Sequence, residues 1–216
     1  MLFNLLSEYP KAKRNINNRL INKEENKKIA LKFGKEYFDG KRSQGYGGYS
    51  YDGRWVPIAK KIIKHYNIKE GQKILDIGCA KGFLVKDLLD SKLGVKVFGL
   101  DVSEYAILNC HKACIGHLHI GNACNLPFPD NSFDLVLSIN TLHNLTRKGC
   151  VKALSEIQRV AKSGKAFVQV DSYNNKIDKQ NFIDWMLTAK THGTPNDWIK
   201  IFNDAGYKGD YYWTLI

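Results

Sequence analysis

Ile74-Leu75-Asp76-Ile77-Gly78-Cys79-Ala80-Lys81-Gly82-Phe83-Leu84 is the stretch on which the reading of the chain turns. The apolar run over 73–77 predicts a short buried strand, the small residues after it predict a turn, and a helix opens near Phe83. Small residues at 78, 80 and 82 let a ligand approach the backbone, and glycine tolerates the positive φ that such turns demand. The helix that follows aims its first amide N–H groups at whatever lies over the turn. Asp76 stands at the strand's end. A dinucleotide-binding turn reads G-x-G-x-x-G and receives a diphosphate. Here the spacing is Gly78-x-Ala80-x-Gly82, one residue tighter, and Asp76 would meet a diphosphate with like charge, at a cost on the order of a few kcal/mol. The same acid suits a ligand bearing an ammonium or a sulfonium. The plain alternative is an ordinary strand-turn-helix corner.

Downstream, 95–101 reads as a second strand that again ends in an acid, Asp101. Its distance from Asp76 resembles the roughly 20-residue gap at which α/β nucleotide sites place a carboxylate that accepts both ribose hydroxyls. A short strand over 117–120 leads to Asn122, whose amide can offer both a donor and an acceptor to an adenine edge. The apolar run over 133–139 is typical of a strand buried on both faces and ends in Asn140-Thr141-Leu142-His143. Strand ends on the carboxyl edge of such a sheet carry chemistry, which makes His143 the candidate general base, with a structural histidine as the equal alternative. A helix over 148–163 closed by Gly164 and a fifth strand over 165–171 follow.

The 216 residues suffice for one α/β domain with an added segment, and a hydrophobic content of 44% with 25% charged residues is ordinary for a globular chain. The net charge of +12 is not ordinary, and residues 11–42 carry eleven Lys or Arg against four acids, so +7 of it sits there. Residues 11–39 read as a polar, mostly helical arm stopped by Gly40: a solvated helix, or a cap that attracts an anionic acceptor. The Gly- and Tyr-rich loop over 45–55 holds Tyr46, Tyr49, Arg54 and Trp55, residues suited to closing over an acceptor or cofactor, or else to plugging the open end of the core. An amphipathic helix over 56–66 begins the main domain, so the chain divides into 1–55 and 56–216. The apolar start is too short for a secretory signal, and no run is long enough for a membrane span. Five cysteines without C-x-x-C pairs read as reduced thiols of a cytoplasmic protein, and no metal site is expected.

The C-terminal part offers a helix over 179–187, with 185–191 alternatively a strand. A helix starts at Thr194-Pro195 and ends at Gly206, and a final strand covers 207–216. His192 and Trp198 could line an acceptor pocket or simply pack.

Taken in order, 74–82, Asp101, Gly121-Asn122-Ala123 with Leu126-Pro127-Phe128, Ser132-Phe133-Asp134, and Glu156-Ile157 with Arg159-Val160 and 162–165 resemble the class I S-adenosylmethionine-dependent methyltransferases over roughly 56–172. The resemblance implies an α/β, Rossmann-like doubly wound, mostly parallel sheet of six or seven strands with an antiparallel C-terminal strand. It implies S-adenosylmethionine as cofactor, with Asp76, Gly78, Cys79, Ala80 and Gly82 by its methionine part. Asp101 and Val102 would serve the ribose, Asn122 and Ala123 the adenine, and Ile139 would line the same site. Ala80 stands where glycine is usual and Asn122 where Asp is common, both small changes. The Asn/Asp-Pro-Pro-aromatic tetrapeptide of enzymes acting on base nitrogens is absent, as is a catechol-type metal set. The leading expectation is methyl transfer to a hydroxyl or amine of a small molecule (metabolite, sugar or peptide end), with His192 joining the loop residues 46, 49, 54 and 55 around the acceptor. An RNA methyltransferase using the basic arm is the alternative, disfavoured because the arm shows no stacking platform or RNA module. A non-catalytic module that keeps the cofactor fold is the third.

Overall fold

In the computed structural model, which describes residues 1–10, 14–91 and 93–215, β1 (Lys73–Ile77) is the hub of a six-stranded sheet. It pairs with β2 (Lys96–Asp101) on one side and β4 (Leu135–Ile139) on the other. β3 (Leu118–Ile120) lies outside β2, and β5 (Ala166–Ser172) and β6 (Asp210–Leu215) follow β4, in the order 3-2-1-4-5-6. The order reverses between β1 and β4, and the crevice outside the carboxyl ends at such a reversal is where open α/β sheets bind ligands.

Side chains alternate across β1 and β4, and each face acquires its own core. Leu75, Ile77 and Val136 pack with Cys150, Leu154 and Ile157 of α7 (Arg147–Val160) and with Trp198 and Ile201 of α9 (Pro195–Asp204). Ile74, Leu135 and Leu137 pack on the opposite face, against Ile58 and Ile62 of α4 (Val56–Tyr66) and Leu84 and Leu88 of α5 (Phe83–Leu89). The caps follow the sequence: Thr194 and Asp197 form a capping box on α9, and Ser103 caps α6 (Glu104–Leu108).

Three expectations are corrected. β6 runs parallel to β5, not antiparallel. The chain leaves β5 through α8 (Lys176–Trp185) and α9 and returns to the starting end of the sheet, so the next strand repeats the direction of the last. The helix expected over 148–163 ends at Val160, because Ala161 leaves it to bridge Phe133, whose carbonyl accepts the Lys162 amide at 2.7 Å. Residues 185–191 form no strand: α8 ends at Trp185.

The arm forms three short helices, α1 (Ile16–Leu20), α2 (Lys23–Ala30) and α3 (Lys35–Asp39). Its expected start at 11–13 and the last residue of the final strand, 216, lie outside the described residues. Residues 1–3 run alongside β6: the Phe3 amide donates to the Tyr211 carbonyl and the Tyr211 amide to the Met1 carbonyl, both at 3.0 Å. Among the described residues no helix is long and apolar enough to cross a membrane.

Candidate functional site

The turn after β1 is built on three left-handed residues, Gly78 (φ 79°), Ala80 (φ 49°) and Gly82 (φ 77°). Glycine is obligatory at 78, where a Cβ would overlap the side chain of Thr141. Four of the five amides over 78–82 donate within the protein. Gly78 and Cys79 donate to the Leu100 carbonyl at 2.7 and 3.2 Å, Gly82 to the Cys79 carbonyl at 2.9 Å, and Ala80 to Asp101 Oδ2 at 2.8 Å. A diphosphate would find those donors already used and two acids at the mouth. Asp101 is fixed from its other side by the Ser103 amide at 2.8 Å from Oδ1, and is buried, as is Asp76. Burial, and behind it the charge of Asp101, pushes the Asp76 carboxyl up to about 7. Burial raises Asp101 as well, with the Ser103 and Ala80 amides pulling the other way.

Val102 follows Asp101 on the surface, 58% exposed, and Ala123 is buried. Ile139, half-buried, ends β4. Asn122 is exposed; its Oδ1 accepts the Cys124 amide at 2.8 Å, which leaves its NH2 group and the second lone pair of Oδ1. Its loop is stapled to α7. Arg159 donates to Glu156, to Asp130 and to the Phe128 and Leu126 carbonyls, while Glu156 Oε2 accepts the Leu126 amide at 2.7 Å. The Glu-x-x-Arg spacing in the sequence is therefore a structural device that holds the loop carrying Asn122.

The arm closes over this cradle. Phe38 packs with Ala80 and Ala106, Tyr46 stacks on Phe38 with ring centroids 5.7 Å apart, and Tyr49 stacks on Phe83 at 4.7 Å. Asp39 joins the layers: Lys81 Nζ donates to it at 2.6 Å, the Tyr105 hydroxyl at 2.7 Å and the Tyr49 amide at 3.2 Å. Burial would raise the Asp39 carboxyl, but these three donors together hold it below its ordinary value. Asp39, Lys81 and Tyr105 escaped the sequence reading; an acid and a lysine so far apart in the chain carry no local signal of pairing.

Other expected site residues stand differently. Arg54 is tied to Asp52, with Nε to Oδ2 at 2.8 Å, and lies over the Tyr9 ring, so it is not a free anion holder. Trp55 tilts against the same Tyr9 ring at 4.6 Å. His192 is exposed and grouped with Tyr173, whose hydroxyl is 3.1 Å from Nδ1, and with Phe182, rather than with Tyr46 and Tyr49. Trp198 is core, its indole N–H donating to the Asp171 carbonyl at 3.1 Å. His143 is buried, and its Nδ1 accepts the Asp171 amide at 3.3 Å. That bond uses the one lone pair of a neutral imidazole and places the ring proton on Nε2. Burial also lowers the pKa of the ring.

The fold is that of the doubly wound α/β class, and its acid-lined cradle suits a ligand with hydroxyls and positive charge better than a diphosphate. Comparison with known proteins narrows the class. A methyltransferase domain family matches residues 75–168. An uncharacterised methyltransferase of Synechocystis is 32% identical over 67% of each chain, and a demethylmenaquinone methyltransferase of Symbiobacterium thermophilum is 33% identical over 56% of this chain and 50% of its own length. The crystal structure of the YcgJ protein of Bacillus subtilis shares the fold, with a TM-score of 0.56 at 20% identity over 68% of this chain and 66% of that one. The chain belongs to the class I S-adenosylmethionine-dependent methyltransferases, a family of enzymes whose cofactor is S-adenosylmethionine. It spans about half the length of several of the curated relatives it matches.

Proposed function

We propose that this chain transfers a methyl group from S-adenosylmethionine to a hydroxyl or amine of a small molecule admitted between the cradle and the arm. The observation that carries the reading is the presence of Asp76 and Asp101 at neighbouring strand ends, over a turn in which the amides of 78, 79, 80 and 82 are already bonded. When bound, the cofactor supplies a methyl group on a sulfonium, an electrophile that needs no further activation. Asp76 holds the ammonium of the methionine part, the Gly78–Gly82 turn with Cys79 and Ala80 forms its floor, and Asp101 accepts the ribose hydroxyls beside Val102. Asn122 and Ala123 border the adenine, and Ile139 closes the wall from β4.

The acceptor lies against Tyr46 and Tyr49. Burial pushes the Tyr49 phenol up, so it stays protonated at neutral pH and serves as a hydrogen-bond donor. His143 positions the turn after β4 rather than removing a proton, since its lone pair is taken. Catalysis then rests on holding the acceptor in line with the methyl group, which can supply much of the acceleration of a bimolecular displacement. Arg54 and Trp55 shape the outer loop, and His192 lies off the path.

Calorimetry with S-adenosylmethionine and its demethylated product, followed by radiolabelled transfer to a panel of amines, alcohols and quinones, tests this. Quinones belong in the panel because the Symbiobacterium relative is named for demethylmenaquinone. Binding of both nucleosides and labelling of an amine or alcohol is the expected result; labelling of the quinones alone, or no nucleoside binding at millimolar concentration, would overturn it.

A further inference from the structure

Arg19 is a buried guanidinium, 5% exposed, and among the described residues no carboxylate lies within ion-pairing distance of it or of Arg42. Two of its N–H groups go to the Ser43 and Gly45 carbonyls, at 3.2 and 3.4 Å; neither contact neutralises the charge. A buried charge ordinarily has a counter-charge. Burial and the neighbouring Arg42 lower its pKa to about 10, and it stays charged at neutral pH.

Beside it lies a cavity of about 660 Å³ between the arm and the end of α8. Arg19, Lys41, Arg42 and Trp185 line it, with Glu25 as its one acid. Three guanidiniums lie over the Trp185 ring, Arg19 at 4.3 Å, Arg42 at 5.1 Å and Arg14 at 6.0 Å from its centroid. Arg42, exposed, also donates to the Gly45 and Tyr46 carbonyls at 3.1 and 3.0 Å. The backbone of Tyr46 is thus held from the cavity side, while its ring belongs to the aromatic layer over the cradle.

We propose that this cavity is the subsite for an oxyanion, phosphate or carboxylate, borne by the methyl acceptor, with Arg19 at its base and Arg42 at its mouth. The word acceptor rests on the methyltransferase reading above; the anion site does not. A planar fork of donors matches an oxyanion two bonds at a time.

The test follows the four indole N–H signals of the full chain by NMR during titration with inorganic phosphate and, separately, acetate at constant ionic strength, the Trp185 signal being assigned from Trp185→Phe. A saturable shift of the Trp185 signal is expected, with the stronger anion naming the group. Arg42→Gln should weaken it by about tenfold or more, the loss of one charge-assisted contact, with calorimetric affinity for the demethylated cofactor unchanged. Should Arg19→Gln fail to fold, Arg42→Gln carries the test alone. No saturable shift with either anion, in protein that binds the demethylated cofactor, overturns the subsite. Phosphate binding without cofactor binding keeps the subsite and overturns its assignment to a methyl acceptor. Displacement of phosphate by a single-stranded RNA oligomer with a steep salt dependence overturns the small-molecule occupant.

Discussion

Asp76 is a carboxyl held partly protonated at neutral pH, and this has two signed consequences. A cationic ligand selects its ionised form, so affinity for S-adenosylmethionine should rise with pH through about 7, by up to tenfold per unit below that value. Asp76→Asn should flatten the profile in calorimetry at several pH values. Because the folded-state pKa is raised above that of the unfolded chain, this group makes the ligand-free protein less stable as pH climbs from the ordinary carboxylate range through about 7. Asp76→Asn should reduce that slope in denaturant titrations, leaving the share that comes from Asp101, which burial also raises. Gly78 poses a steric question instead. Gly78→Ala places a side chain at φ 79°, costing about 1–2 kcal/mol from the left-handed backbone alone, and the overlap with Thr141 adds to this. Loss of cofactor binding together with a lowered unfolding midpoint is the expected outcome.

At the scale of elements, two devices hold the loop-borne parts of the site to rigid ones. Arg159 and Glu156 fasten the loop of Asn122 to α7, and Arg159→Ala should weaken cofactor binding while leaving most of the global stability in place, as read by calorimetry beside thermal unfolding. Asp39 fastens α3 to the turn of Lys81 and to Tyr105 of α6. Its carboxyl is held below its ordinary value, so this clasp persists above the unfolded-chain pKa and is lost as pH falls through the folded one. Asp39→Asn should lower the hydrogen-exchange protection of α3 at neutral pH toward the protection that the intact protein shows only in acid. The elements were legible where local pattern decides them: the bounds of β1 and α4 and the start of α5 follow from apolar period and turn chemistry, and the start of α9 from Thr194 as its cap with Pro195 after it. They were not legible where partners decide. The early end of α7 comes from the Phe133–Ala161 bridge, and the direction of β6 comes from a crossover, which an apolar run of residues does not encode.

For the whole molecule, stability resides in two cores on opposite faces of one sheet, and Leu154, fully buried between α7 and the strands, is a fair probe of one of them. Leu154→Ala should lower the unfolding free energy by about 2–5 kcal/mol without altering cofactor specificity, as read by denaturant titration beside calorimetry. The residues proposed for the cofactor sit at successive strand ends, where order along the chain mirrors order in space, and so can be read from the sequence. Those proposed for the acceptor side do not. Arg54 stands in the Tyr-rich loop expected to close over the acceptor, yet two residues away Asp52 satisfies it, whereas Arg19, Arg42 and Trp185 meet only through the folding of the arm onto α8.

The strand-like run of residues 1–3 along β6 has a bearing on solution behaviour. A sheet edge with open amides and carbonyls is a template for another chain. Here residues 1–3 cover one rim at Tyr211, and the other rim is the three-residue β3. Deleting residues 1–3 turns the first rim into an adhesive one. Light scattering should then grow with time at concentrations where the intact chain remains clear.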